Sequence, residues 1–230
     1  MEIKQINEFP RHAVEQLLAV IPFYKAVKQQ DLWQFEVLLQ HSRIVSFSPG
    51  EVVLKCGETD SWLYFLLKGQ LAVYVNDDLS AAEAVNYITP GEVFGDLAML
   101  VGDQRTATLV ADSNSRRIMA FGTDFNVFGA LDDFRAISLQ TKLIYYRNTV
   151  HSLRWKLEVY RMRYPDYELA NHHHKVRLFQ GCQGTFEELC SLHEQAAQLA
   201  RLLVSWNQQF GSLSFAESGV PSPQLVANME

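Results

Sequence analysis

Cysteine is scarce in this chain, with only Cys56, Cys182 and Cys190 in 230 residues. Three thiols are too few, and odd in number, for a disulfide framework, which favours a reducing compartment. No apolar run approaches the ~20 residues of a membrane-spanning helix. The opening stretch Met1 to Glu8 lacks the charged-then-apolar pattern of a secretory signal. The expectation is a soluble, cytoplasmic protein without a membrane partner. An excess of positive charge is also missing: the net charge is −6. That argues against a general nucleic-acid binder, because such binding needs clustered Lys and Arg to release counterions. Residues 132–164 are the exception, at +4 between a −6 segment (1–131) and a −4 segment (165–230). They read as a solvated helix face or as a basic patch. No Ser-His-Asp or Cys-His set has a locating context, so catalysis has no support and the chain is not read as an enzyme. The run His172-His173-His174, with Cys182, Cys190 and His193 downstream, fits no compact zinc spacing. Adjacent histidines also point in different directions, so the run is read as surface and no metal site is expected.

Hydrophobic content of 48% and charged content of 20% are ordinary for a globular protein with one or two domains. Residues 13–42 place Leu17, Leu18, Ile21, Leu32, Phe35, Leu38 and Leu39 at helical spacing, with Pro22 dividing the stretch into two short helices. From 43 onward short apolar runs alternate with turns. The runs are Val52–Leu54, Trp62–Leu67, Leu71–Val75, Val85–Ile88, Thr106–Val110 and Ile118–Phe121. Their punctuation is Pro49-Gly50, Gly57, Lys68-Gly69, Asn76-Asp77-Asp78 and Pro90-Gly91. Many short strands at this spacing predict an antiparallel jelly roll, interrupted by one short helix near Gly95 to Leu100.

After Phe125 the pattern is helical. Leu139, Leu143, Tyr146, Val150, Leu153, Leu157, Tyr160 and Tyr164 step by four and three, a heptad seam that Pro165 ends. A stripe of this length predicts a homodimer through residues 139–164; the alternative is a long helix packed on its own domain. Thr185 and Glu188 have capping-box spacing ahead of a further stripe, Leu192, Ala196, Leu199, Leu203, Trp206 and Phe210. The fold class is therefore α+β. Its expected parts are N-terminal helices (1–42), a β-roll (43–130), a long coiled-coil-like helix (131–165), a helical extension (166–210) and a flexible tail (211–230).

Residues 94–109 carry the chemistry. A glycine ahead of a short helix offers free amides to an anion and lets a ligand approach the backbone. Arg105 presents a five-donor fork suited to phosphate oxygens. Asp96 would repel a free phosphate but can accept from sugar hydroxyls. Together these groups describe a ribose phosphate with a single negative charge.

Phe94-Gly95-Asp96-Leu97-Ala98-Met99 followed by Arg105-Thr106-Ala107 resembles the phosphate-binding cassette of the cyclic-nucleotide-binding domain family. That family includes catabolite activator protein, protein kinase A regulatory subunits and cyclic-nucleotide-gated channels. Gly50, Gly57, the stretch Leu63 to Val73 and Pro90-Gly91-Glu92-Val93 match as well, so the resemblance covers about residues 20 to 150. It implies a β-roll and a cyclic-nucleotide ligand: cyclic AMP first, with cyclic GMP or cyclic di-GMP as alternatives. It implies that Arg105 holds the cyclic phosphate, assisted by the amides near Ala98 and by Thr106, and that Asp96 takes the ribose 2′-hydroxyl, with Phe94, Gly95 and Leu97 completing the cassette. The family places glutamate at position 96. Aspartate is one methylene shorter, so the loop moves inward, affinity falls or the ligand differs. The resemblance also implies closure by the long helix, which puts Asn148, Thr149, His151 and Ser152 forward, with Asn148 or Thr149 on the base.

DNA-binding relatives carry a winged helix-turn-helix after the long helix. Residues 166–210 show no such pair, and the helix after Thr185 is acidic at its start. DNA is disfavoured; the C-terminal helices are expected to dock a protein effector at 185–210 or to fold back on the long helix. Two further readings stay open: a DNA-binding regulator using Arg147, Arg154, Lys156, Arg161 and Arg163, and a scaffold with a degenerate pocket.

Overall fold

The computed structural model describes residues 1–75, 84–102 and 104–212. Among the described residues nine strands build two antiparallel sheets: β1 (Glu2–Gln5), β2 (Ser42–Phe47), β3 (Val52–Leu54), β4 (Trp62–Lys68), β5 (Leu71–Tyr74), β6 (Asn86–Ile88), β7 (Val93–Phe94), β8 (Thr108–Ala111) and β9 (Ile118–Asp124). One sheet runs β1-β2-β9-β4-β7 and the other β3-β8-β5-β6, so the α+β β-roll is the architecture. Alternate residues of β4, β5 and β9 are buried: Leu66, Leu71 and Ile118 toward the space between the sheets, Leu63 and Phe121 on the opposite face, toward the N-terminal helices. Gly69 makes the tight β4–β5 turn at φ +86°. A Cβ there would lie 2.9 Å from the Ile118 side chain and 3.0 Å from the Arg117 carbonyl. The sequence pattern gave no sign of β1, because Glu-Ile-Lys-Gln is a mostly exposed edge strand with no apolar face.

Three helices, not two, precede the roll: α1 (Arg11–Leu18), α2 (Pro22–Gln30) and α3 (Leu32–Gln40). Pro22 starts α2, where its missing N–H costs nothing. Asp31 makes the second break, its carboxylate accepting the Trp33 and Gln34 amides at 2.9 and 3.1 Å. Tyr24 of α2 meets Phe121 edge-on at 5.0 Å, and Phe23 meets Tyr145 at 5.8 Å. The N-terminal helices thereby join the roll to the long helix.

The remaining helices are α4 (Asp96–Val101), α5 (Leu139–Arg163) and α6 (Phe186–Ser212). Ser138 caps α5 through the Thr141 amide at 3.2 Å, and α5 stops two residues before Pro165. At α6, Thr185 Oγ1 accepts the Glu188 amide at 3.2 Å, while Glu188 accepts the Gly184 amide at 2.6 Å, one residue earlier than a regular capping box.

The seam that suggested a homodimer is covered from within the chain. Leu143, Tyr146, Val150, Leu153, Leu157 and Tyr160 are buried within the chain, under α6. The two helices run parallel, tied by Arg147 to Glu188 (2.7 and 2.8 Å), Arg154 to Gln195 (3.3 Å) and Tyr160 to Asn207 (2.8 Å). A heptad records an apolar stripe but not which chain covers it. Residues 164–185 return along α5, so a parallel helix of the same chain reaches the seam. The stripe on α6 is used in the same contact, with Leu189, Ala196, Leu199, Leu203 and Trp206 all buried. The C-terminal helix thus folds back on α5. The tail expected from 211 lies, from 213 onward, outside the described residues. No helix among the described residues is long and apolar enough to cross a membrane.

The Arg147 guanidinium and the Gly184 amide hold the Glu188 carboxyl below the usual carboxylate range. A depressed folded value stabilises the protein above the unfolded value of about 4.5, and that stability is lost as pH falls through the lower folded value. The urea midpoint of Glu188→Gln should therefore lie below that of the native protein at pH 6, with the gap narrowing below about pH 4. Chemical denaturation at both pH values checks this.

Candidate ligand-binding site

Gly95 turns the chain from β7 into α4 at φ +84°, a conformation that L residues avoid. A Cβ at this position would stand 2.9 Å from Arg105 Nη1 and 3.0 Å from the Trp62 carbonyl. Only hydrogen fits. Arg105 arrives from the loop before β8 and is 4% exposed. Its Nη1 donates to the Gly95 carbonyl. Its Nη2 donates to the Asp60 carboxylate and to the Trp62 carbonyl (2.9 Å), and its Nε reaches Asp60 at 3.3 Å. Asp60 is placed by accepting the Trp62 amide at 2.8 Å. These bonds use four of the five guanidinium N–H groups and fix the fork in one orientation. Asp60 is an internal counter-ion, so burial of Arg105 does not by itself demand a bound anion.

Asp96 is 3% exposed. The amides at the start of α4 favour its ionised form, yet Oδ2 has no hydrogen-bond partner among the described residues. Burial pushes the carboxyl up, and the Lys156 ammonium acts in the opposite sense. Lys156, on α5, donates to the Val93 carbonyl at 3.3 Å and lies 3.9 Å from Glu92. A buried acceptor without a donor carries a desolvation penalty of about 1–3 kcal/mol until a hydroxyl or amide meets it.

Phe94, Gly95, Asp96, Leu97, Ala98, Arg105 and Thr106 all line one cavity of about 80 Å³, walled across by Leu54, Val73, Ile88 and Leu109. Lys156 of α5 and Leu203 and Asn207 of α6 also line it. The sequence reading missed these three. Lys156 was reachable, since it follows Thr149 and Ser152 on one helical face by steps of three and four. Leu203 and Asn207 were not, because their place depends on how α6 docks.

Asn148 and Thr149 do not line this cavity. With His151 and Ser152 they line a second cavity of about 600 Å³, between α2, the β6–β7 turn and α5. The Asn148 amide donates to the Ile144 carbonyl of its own helix at 2.8 Å, and Thr149 is buried. The long helix passes the cassette at Lys156, two turns beyond Asn148.

Replacing Gly95 by alanine should cost about 1–2 kcal/mol of stability from the left-handed backbone alone, with a further loss as Arg105 is pushed off its carbonyl. The thermal midpoint of Gly95→Ala should fall by several degrees, measurable by calorimetry.

The fold is a β-roll that holds this cavity beside α4. Residues 44–128 match the family described as Cyclic nucleotide-binding domain. The chain is similar to a cGMP-dependent protein kinase of Plasmodium berghei, 37% identical over 68 residues, 30% of this chain and 7% of that protein. It is similar to the cAMP-activated global transcriptional regulator CRP of Pasteurella multocida, 30% identical over 79 residues, 34% of this chain and 38% of that protein. Among solved structures it resembles the regulatory subunit of a cAMP-independent protein kinase A from Trypanosoma brucei. That likeness has 24% identity and a TM-score of 0.42, covering 50% of this chain and 40% of that one. The chain thus matches less than a tenth of the kinase and under two-fifths of the transcriptional regulator.

Proposed function

We propose that the chain is a non-catalytic cyclic-nucleotide sensor whose phosphate pocket is closed by its own C-terminal helix. The observation that carries this is the pairing of an oriented, buried Arg105 with the partnerless Asp96 Oδ2 across one cavity. An arginine fork suits a cyclic phosphate monoanion, and a carboxylate oxygen lacking a donor suits a ribose hydroxyl. The cyclic phosphate would take the fork in place of part of the Asp60 bonding, with the amide near Ala98 and Thr106 assisting. Cyclic AMP is the first ligand to test, then cyclic GMP and cyclic di-GMP.

The cavity is smaller than its ligand. Sites that enclose a drug-sized molecule measure roughly 300–1,000 Å³, against about 80 Å³ here. Leu203 and Asn207 fill the difference, so nucleotide entry has to displace the last turns of α6. Undocking Leu203 and Trp206 gives up roughly 3–6 kcal/mol of burial, a penalty of about two to four decades in apparent affinity. The same displacement bares the α5 seam from Leu153 to Tyr160. That surface then carries the signal, either to a protein effector or to a second copy of the chain.

The basic residues of 132–164 argue against DNA as the readout. Arg147 is bound to Glu188, Arg154 to the carbonyls of His173 and Val176, and Arg161 to Glu158. Calorimetry with the three nucleotides, on the native chain and on Leu203→Ser, tests the sensor reading. Heat in the variant but little in the native chain is the expected pattern. Silence in both with every nucleotide would leave a degenerate pocket on a scaffold.

A further inference from the structure

We propose that Glu158, His173 and His174 form a binding site for a first-row divalent transition metal ion of the zinc class. Glu158 projects from α5, and the two histidines stand on a single 3-10 turn, His172–Lys175, in the segment that returns along α5. Although adjacent in sequence, both imidazoles converge on one carboxylate oxygen. His173 Nε2 lies 2.9 Å and His174 Nε2 3.3 Å from Glu158 Oε2, and the three atoms fall within 4.8 Å of one another. An ion at about 2.0–2.2 Å from each of three ligands spaces them roughly 3–3.5 Å apart, so small adjustments would admit one.

The surroundings hold these ligands in place. Glu158 Oε1 accepts Arg161 Nε at 2.9 Å and Nη2 at 2.5 Å, which orients the carboxylate from behind. Arg154 donates to the His173 carbonyl at 3.1 Å and the Val176 carbonyl at 3.0 Å, pinning the turn. His173 is buried and its Nδ1 has no partner among the described residues. His174 is exposed and leaves one side open to water and to ion entry. Because Arg161 offsets the single carboxylate charge, binding has to rest on the two nitrogen donors. That selects zinc, nickel, cobalt or copper over calcium or magnesium. The bound ion would clip the return segment to α5 and so support the docking of α6, whether or not the pocket takes a nucleotide.

Titration of the tag-free full chain with zinc(II) and nickel(II) by calorimetry, and with cobalt(II) by visible absorption, tests the site. One ion per chain is expected, with a rise in thermal midpoint. His174→Ala, an exposed change that leaves circular dichroism unaltered, should weaken binding by more than about 100-fold and abolish the midpoint shift; Glu158→Gln should do the same. Cys182→Ser with Cys190→Ser should leave binding unchanged. The proposal fails if no one-to-one binding is seen, if binding survives His174→Ala, or if it disappears with the two cysteines.

Discussion

Trp206→Ala is expected to tighten cyclic-nucleotide binding by about a hundredfold while lowering the stability of the chain. Trp206 is 1% exposed, stacks on Tyr160 at 5.4 Å and packs against Tyr167 at 5.0 Å, within a turn of Leu203 and Asn207. Deleting a buried tryptophan costs roughly 3–5 kcal/mol. Here that loss falls on the contact of α6 with α5 and the return segment, outside the sheets that carry the cassette. If binding needs the undocked helix, apparent affinity equals intrinsic affinity times the fraction undocked. About 3 kcal/mol then converts to two decades, until the open form predominates. Calorimetry measures the change, and circular dichroism verifies that the roll persists. An unchanged or weaker affinity in a folded variant would show that α6 is no gate. Sedimentation of the same variant reads the second consequence: a bared α5 seam should promote self-association if a second copy is its partner.

Arg105→Ala is expected to remove nucleotide binding. Charge-assisted hydrogen bonds from the fork are worth about 1.5–3 kcal/mol, or roughly 10- to 150-fold. The Gly95 carbonyl also loses the donor that positions it. The loss should be measured in the Trp206→Ala background, where the wild-type pocket binds tightly enough to quantify it. Arg105→Lys should recover little, because one ammonium cannot bridge Gly95, Trp62 and Asp60 as the fork does. Folding should suffer less than a buried arginine normally implies, since Asp60, the partner left behind, is about a third exposed and can be solvated by water. Equal affinity in Arg105→Ala would overturn the phosphate assignment, and with it the sensor reading.

Much of the site could be read from the sequence because it is local. Phe94 to Ala98 and Arg105-Thr106 lie within thirteen positions, so a glycine turn, a short helix and a following strand bring them together with little help from the rest of the fold. The strands of the second sheet were legible for the same reason, through alternation and turns. β1 was hidden by its polar composition, and α3 by a break that rests on one aspartate cap. Asn148 and Thr149 fall in the neighbouring cavity because the pitch of α5 past the roll depends on packing at Tyr145 and Phe23, which no motif encodes. The histidines at 172–174 looked divergent as sequence neighbours, but a 3-10 turn aims two of them at one carboxylate.

By itself, the sequence determined the cassette and the periodicity of each element, because these depend on residues near one another in the chain: Gly95 for a left-handed turn, Arg105 for a fork, the four-three spacing for an apolar helix face. Only the tertiary structure decided what each apolar face meets. The α5 seam fits a second copy, a partner or its own chain equally well by periodicity. The return of residues 164–185 along α5 sets α6 on it in parallel, which carries Leu203 and Asn207 into the pocket. The closure of the pocket is therefore a property of long-range packing, while the chemistry inside it is a property of sixteen consecutive residues.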